Sequence, residues 1–409
     1  MLRVDSHRLR ADFDALAAVG RTPGGGVSRP TFSEAHLAAR AWLLDRAAAA
    51  EFATRVDAAG NHSAVLPALE RGAPTLLLGS HLDSVPDGGR FDGALGVVAA
   101  LEVLRVVRDA GVELDRTLEA IDFTDEEGTL VGLLGSAAVA GTLEPDALER
   151  ARGGRDALRA GLARAGLAEE RLGEARRDPA SLAGYLELHV EQGPVLEREG
   201  ADIGVVTTIV GTRSFRLEFV GVARHAGTTP MRERRDAAIG AAAFVVAARD
   251  LVAHDYPGCV ATVGNVEVEP GAFNVIPRRA RLALEFRSPE TPRLDELEAE
   301  LLALARHAAE TEGVALEIAP AGRWEPTQLD EGVRAAIGRG AQTLGLRTLD
   351  LASGAGHDAQ ALAAVTRSGM VLVPSRGGVS HAPHEHTDWD DCVNGANVLL
   401  TAALDLAAR

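Results

Sequence analysis

Residues 76–97 read LLLGSHLDSVPDGGRFDGALGV. The stretch opens as an unbroken apolar strand, delivers His81 and Asp83 at its carboxyl end, crosses a Gly-rich loop and sets Asp92 at the start of a helix. A strand that is apolar throughout is one buried on both faces, the habit of parallel sheets covered by helices. In open α/β sheets ligands sit at the carboxyl ends of the strands, so the polar residues here fall where chemistry is expected. Neutral imidazole and carboxylate suit Zn, Mn, Co or Ni, and one carboxylate can bridge two ions. Asp83, two residues beyond His81 on the same face of an extended strand, is placed to hold the ring nitrogen that His81 leaves unused. The bland alternative is a polar turn in which Asp92 caps the helix.

Outward from this stretch, short apolar runs alternate with longer Ala, Leu and Arg segments of helical period, the pattern of an α/β protein. Helices are expected over 5–19 and after Thr31, where Thr31 and Glu34 have the spacing of a capping box. Strands are expected over 52–56, 75–80, 117–123 and 185–189. Residues 121–130, IDFTDEEGTL, set Asp125, Glu126 and Glu127 side by side, a costly concentration of charge unless a cation balances it. Neighbours in extended chain face opposite ways, so Glu126 and Glu127 can divide metal binding from proton transfer. Residues 185–194, YLELHVEQGP, offer His189, Glu191 and Gln192. Residues 377–391, GGVSHAPHEHTDWDD, offer His381, His384, His386 and Glu385, and LASGAGHDAQALAAV (351–365) adds His357 and Asp358. Taken singly these read equally as acidic turns, structural histidines or a surface loop. Four His/carboxylate clusters at strand ends in one frame point together to a two-metal hydrolase.

Composition narrows the alternatives. The 409 residues carry 42 basic and 59 acidic side chains, a net charge of −17, and 46% are hydrophobic. That length suits two domains, and the apolar fraction excludes disorder. The acidic balance argues against nucleic acid or an anionic membrane as partner, leaving small molecules. No lysine occurs in the chain, which removes Schiff-base chemistry and a phosphate-loop lysine. Two cysteines, Cys259 and Cys392, cannot make a disulfide framework. The first twenty residues are no signal peptide, and no unbroken apolar run approaches the roughly 18 residues of a membrane span. A cytoplasmic enzyme is expected, and without a G-x-S-x-G elbow it is not a serine α/β-hydrolase.

From about residue 205 the character changes. RSFRLEFVGVA (213–223) alternates as a half-exposed strand, followed by a helix around 236–251, strands near 260–268 and 281–287, and a helix over 292–312. After Gly322 the α/β pattern resumes with a helix near 331–344, a strand over 370–374 and a last helix from about 390. The expectation is one discontinuous catalytic domain, 1–210 and 323–409, interrupted by a compact α+β insert, 211–322.

Seven motifs, GSHLDSVPDGGRFDG, DEEG, LHVEQGP, RHAGTTPM, FNVIP, SGAGHDA and GVSHAPHE, in this order from residue 79 to 385, resemble those of the metal-dependent amidohydrolases that cleave N-carbamoyl-L-amino acids, allantoate or β-ureidopropionate, within the wider group of aminoacylases and di-zinc exopeptidases. The resemblance implies an α/β fold: a di-metal exopeptidase-like catalytic domain with a mixed sheet, plus an inserted α+β dimerisation (lid) domain, and a homodimer. It makes His81 and His189 ligands of one metal, Glu127 and His381 ligands of the other, and Asp92 the bridge. Glu126 becomes the general base, Asp83 keeps the role of holding the His81 ring, and Gln192, His225, Asn274, Arg287 and His357 become the substrate contacts, with His225 and Asn274 also steadying the developing oxyanion. Two divalent metal ions are implied, zinc first, with manganese, cobalt or nickel as alternatives. The implied reaction is hydrolysis of N-carbamoyl-L-amino acids; allantoate or β-ureidopropionate are the nearest alternatives, a dipeptidase, an aminoacylase or a catalytically silent metal-binding scaffold the remoter ones. Read locally, Arg287 instead salt-bridges Glu285 and Asn274 shapes the turn before Pro277. The chain departs from the family where Leu130 and Val131 replace a usual Arg-aromatic pair and where Glu285 replaces an aspartate.

Overall fold

The computed structural model describes residues 2–408. They form two units, Thr208–Thr327 and the chain on either side of it. In chain order the strands are β1 (Ala53–Val56), β2 (His62–Leu66), β3 (Thr75–His81), β4 (Thr117–Phe123), β5 (Leu182–Val190), β6 (Ile203–Ile209), β7 (Gly211–Val220), β8 (Val260–Glu269), β9 (Arg279–Ser288), β10 (Ala315–Trp324), β11 (Thr327–Gln328), β12 (Thr348–Ser353) and β13 (Ser368–Val373).

The larger sheet runs β1-β2-β4-β3-β5-β13-β6-β11, with β12 on β6. Its centre, β4-β3-β5-β13, is parallel, while β2 and β6 flank it antiparallel. The parallel strands are buried on both faces, which is why β3 and β13 read as almost continuous apolar runs, while β4 buries Glu119 and Asp122 among its apolar residues. The helix after β3, Ala94–Asp109, is buried all round from Ala94 to Val107 and is the spine of the core. Two glycines make this approach feasible. A Cβ at Gly79 would stand 1.9 Å from the Ile121 carbonyl oxygen on β4, and one at Gly93 would stand 2.4 Å from the His81 ring. Gly93 also has φ +63°, a region that costs a residue with a side chain dearly.

Buried ion pairs fix the strand ends. Arg40, from the helix Glu34–Ala49, donates to Asp122 at 2.9 Å and to Thr124 at 2.8 Å, and the second Asp122 oxygen accepts the Leu82 amide at 2.7 Å. The carboxyl ends of β3 and β4 are thereby held in register by one guanidinium. The cap of that helix is Ser33, whose hydroxyl accepts from the His36 amide, and not Thr31 as the box spacing predicts. The Thr31 hydroxyl is directed instead at two acids far along the chain.

In the second unit the sheet runs β10-β7-β9-β8, all antiparallel. The helices Ala237–Asp255 and Thr291–Thr311 pack against it over Phe219, Phe244, Phe286, Leu297 and Leu301. The sequence pattern shows three of these strands and hides β10, which continues past Gly322 to Trp324 with a register shift at Pro320. By length and composition alone Ala237–Asp255 is apolar enough to cross a membrane. Arg249 and Asp250 interrupt it, and its Phe244 face is buried in this unit's own core.

Candidate metal centre

Four strand ends converge. β3 ends on His81, the loop after β4 carries Glu126 and Glu127, β5 carries His189, and the segment after β13 carries His381; Asp92 enters from the β3 loop. His81, Asp92 and His189 bring one potential ligand atom each to within 4.8 Å of one another, and so do Asp92, Glu127 and His381. Asp92 belongs to both groups and presents a different oxygen to each. Its Oδ1 lies 3.5 Å from His81 Nε2 and 3.1 Å from His189 Nε2. Its Oδ2 lies 3.3 Å from His381 Nε2, which is itself 3.3 Å from Glu127 Oε2. Asp92 makes no cap bond to the following helix, whose N-cap is Gly93, so the bland reading of this residue fails.

The donor set fits a pair of divalent cations. His81 Nδ1 faces the Asp83 carbonyl oxygen at 3.1 Å and His189 Nδ1 faces that of Val190 at 2.9 Å, so each ring spends its proton on the main chain. His81 Nε2 is then a buried lone pair without a hydrogen-bond partner among the described residues, and His189 Nε2 accepts the Gly93 amide at 3.2 Å. Bare nitrogens aimed at carboxylate oxygens repel unless a cation or proton lies between them. Imidazole and carboxylate together are the donors of Zn, Mn, Co or Ni centres.

Where protons instead of cations lie between these atoms, the titration directions follow from burial and charge. Burial alone would raise Asp92, but His189, His381 and His81 draw it well below the carboxylate range. Burial, then Asp92, pushes Glu127 up to about 7, and burial drives Glu126 well above its ordinary value despite His81. Asp92, against the cost of burial, lifts His381 to about 9. Where the folded pKa exceeds the free value of 4.5 for Glu127 or 6.5 for His381, the stability is present below that free value and is lost as pH rises through the folded one. In protein without metal that loss spans pH 4.5 to 7 for Glu127 and 6.5 to 9 for His381; cations held by these residues would replace those protons. The gap in Tm between metal-loaded and chelated protein therefore widens by several degrees from about pH 5 to pH 8. A gap independent of pH in thermal melts would contradict this assignment of charge.

Glu126 belongs to neither ligand group. Its Oε2 lies 3.4 Å from His81 Nε2, beside both groups. The Asp83 carboxylate differs from expectation. It stands 3.7 Å from His81 Nδ1, and the hydrogen-bond partner of that nitrogen is the Asp83 carbonyl. The carboxylate instead accepts the amides of Glu126 at 3.3 Å and Glu127 at 3.2 Å. β3 ends at His81, so alternation along an extended strand no longer governs Asp83.

Gln192, at φ +60°, donates from Nε2 to Asp92 Oδ2 at 2.9 Å and keeps a buried Oε1 without a partner among the described residues. The His357 ring is 4.6 Å from that of His189, with Nε2 on the Ser353 hydroxyl and a buried Nδ1 that has no partner among the described residues. Asp358 is buried beside Glu187, behind the histidines. Glu191 is structural: it accepts the amides of Val195 and Leu196 at a helix start. His384 lies outside both ligand groups, on the wall of a 430 Å³ cavity with Arg21 and Arg90.

Glu385 holds a position that spacing alone does not reveal. Its carboxylate accepts the amides of Phe91 and Asp92 and the Ser380 hydroxyl, tying the loop of the shared aspartate to the loop of His381. The remaining candidates belong to the second unit. There Arg287 pairs with Glu285 at 2.7 Å, and the Asn274 carbonyl accepts the Ala226 amide beside a bridge between His225 and Val275.

Comparison with known proteins gives the family of the chain. A family model described as Peptidase family M20/M25/M40 matches residues 77–405. An N-carbamoyl-L-amino-acid amidohydrolase of Paenarthrobacter aurescens is 40% identical over 92% of either chain. A ureidoglycolate hydrolase of Arabidopsis thaliana is 34% identical over 97% of this chain and 86% of its own. The crystal structure of an amidase of the hydantoinase/carbamoylase family from Burkholderia multivorans superposes with a TM-score of 0.90 at 34% identity, covering 100% of this chain and 99% of that one. With a family match spanning most of its length and relatives aligned nearly end to end, the chain belongs to peptidase family M20/M25/M40 and is a hydrolase of C–N bonds.

Proposed function

We propose that the protein hydrolyses the carbamoyl C–N bond of N-carbamoyl-L-amino acids, so that substrate and water become the amino acid, ammonia and carbon dioxide. The observation that carries this reading is the pair of ligand triads sharing Asp92, with Glu126 beside them and in neither. The name of the Paenarthrobacter relative supplies the substrate class. Cations held by these residues would supply Lewis acidity to water and to the substrate carbonyl. Glu126 takes the proton of the attacking water and returns it to the departing nitrogen, work suited to a carboxyl whose affinity for protons is raised by burial. Asp83 holds the Glu126 and Glu127 amides, and with them the direction of both carboxylates. Gln192 and His357 offer the buried unpartnered Oε1 and Nδ1 to substrate polar groups. Arg287 is assigned to the substrate carboxylate as a bidentate donor, in exchange for Glu285, and His225 and Asn274 to the carbonyl oxygen.

The second unit, Thr208–Thr327, is proposed as the dimerisation domain of a homodimer. β8 is an edge strand of ten residues with Val260, Val266 and Val268 exposed, and the helix Ala237–Asp255 exposes Ile239 and Val246. A long apolar edge of this kind invites pairing with another chain.

The reading is tested by ammonia release from N-carbamoyl-L-amino acids, allantoate, ureidoglycolate and β-ureidopropionate with metal-reconstituted protein. Carbamoyl amino acids are expected to give the highest kcat/KM. Preference for another ureide would move the substrate assignment, and release of amino acids from dipeptides without ammonia would overturn it. Sedimentation of the same preparation should give twice 42.7 kDa; a monomer would refute the dimer.

A further inference from the structure

The segment from Gly20 to Ser33 precedes the family match, which begins at residue 77. Sequence pattern gives it no task beyond starting a helix, yet it is bonded into the loops that carry the site acids. Arg29 is fully buried, donates from Nε to the Leu82 carbonyl at 2.8 Å and from Nη1 to that of Leu16 at 3.2 Å, while its amide donates to the Ser84 hydroxyl at 2.8 Å and its carbonyl accepts the Ser84 amide at 3.1 Å. These bonds clamp the segment to residues 82–84 of the β3 loop. Two residues on, Thr31 Oγ1 stands 2.7 Å from Asp125 Oδ1 and 3.2 Å from Asp83 Oδ2, and the Thr31 amide donates to Thr129 Oγ1 at 2.9 Å.

Both acids shape the loop of Glu126 and Glu127. Asp83 accepts their amides. Asp125, at φ +60°, accepts the amides of Leu130, Val131 and Gly132 at 3.1, 2.6 and 2.9 Å and so closes the loop on itself. Leu130 and Val131, where relatives of the resembled family carry an Arg-aromatic pair, contribute main-chain donors here, while their side chains pack on an apolar cluster with Phe32 and Leu158. One hydroxyl thus sits between two fully buried carboxylates that carry the main chain of the acidic loop. Without it, Asp83 and Asp125 face each other with no shared donor, and buried like charges separate by moving the chain they hold.

We propose that Thr31 is a positioning residue for Glu126 and Glu127, acting through Asp125 and Asp83, so that the N-terminal segment is a working part of the active site. The inference rests on the roles given to Glu126 and Glu127 above. A displacement of about 1 Å in a catalytic group costs on the order of 100-fold in rate.

The test compares Thr31→Val, which removes the hydroxyl at constant shape, with Thr31→Ser, which keeps it. Thr31→Val should lower kcat about 10- to 100-fold with KM within about threefold, and Thr31→Ser should stay within about threefold of the parent in both. Cobalt(II) titration followed by its visible absorption gives a second readout, independent of substrate. Thr31→Val should weaken or distort the cobalt site of Glu127, and Thr31→Ser should leave it unchanged. If the parent turns over no ureide, the substrate reading has failed, and the cobalt titration still decides this inference. If Thr31→Val does not fold, Thr31→Ala carries the same expectation. Parent-like kcat and cobalt spectra in the folded Val or Ala variant would overturn the proposal, as would equal loss in the Ser variant.

Discussion

Replacing Glu126 with Gln is expected to lower kcat by about three orders of magnitude while both cations stay bound. Gln keeps the shape of the side chain and cannot accept a proton from water. Glu126 stands outside both ligand triads, 3.4 Å from His81 Nε2, so its loss takes away proton transfer and leaves the triads complete. General acid–base catalysis by one positioned group is worth about 10²–10⁴ in rate, and in the proposed reaction one carboxylate serves both proton transfers, which favours the upper part of that range. Initial rates paired with metal analysis by mass spectrometry check it. A variant that retains more than about a tenth of the parent rate contradicts the base assignment; one that loses its cations assigns Glu126 to binding.

Replacing Asp92 with Ala is expected to abolish both metal binding and turnover. Asp92 alone belongs to both groups, Oδ1 toward His81 and His189 and Oδ2 toward His381. Without it each position keeps two protein ligands, fewer than the three usual for a catalytic site. Loss of a hydrogen-bonded neighbour of a ligand already costs about 10- to 100-fold in affinity, so loss of a ligand common to both ions costs more for each. Equilibrium dialysis should show affinity for both ions down by more than about 100-fold. The variant's Tm should match that of chelated parent, since the stabilisation by cations is lost with them. Retention of one ion at parent affinity would show that the two positions do not depend on a common carboxylate.

Much of this site is legible in the chain because of how parallel sheets bury their strands. β3, β4, β5 and β13 are buried on both faces, so His81, the Glu126–Glu127 pair and His189 stand out at or just beyond the ends of mostly apolar runs. β10 is hidden for the opposite reason. ALEIAPAGRW is an exposed edge strand, and Pro320 and Gly322, which read as breakers, mark a bulge that an edge accommodates. Thr31 misleads because the spacing of a capping box is a local signal, whereas its hydroxyl is claimed by Asp83 and Asp125, 52 and 94 residues away. Glu385 is equally invisible locally, since the amides it accepts lie 294 and 293 residues earlier. Asp125 looks like a third member of an acidic run, and only its left-handed backbone turns it away from Glu126 and Glu127 toward the loop. Ligands announce themselves by residue type at a strand end. The residues that aim them are ordinary Thr, Asp and Glu whose partners exist only after folding.

The central claim is that two cations are held by five side chains, with Asp92 between them. Anomalous diffraction at the absorption edge of the reconstituting metal, from crystals of zinc- or manganese-loaded protein, tests it most directly. Two peaks about 3.5–4 Å apart are expected, one among His81, Asp92 and His189, the other among Asp92, Glu127 and His381. A single peak, or two peaks that Asp92 does not touch, would contradict it.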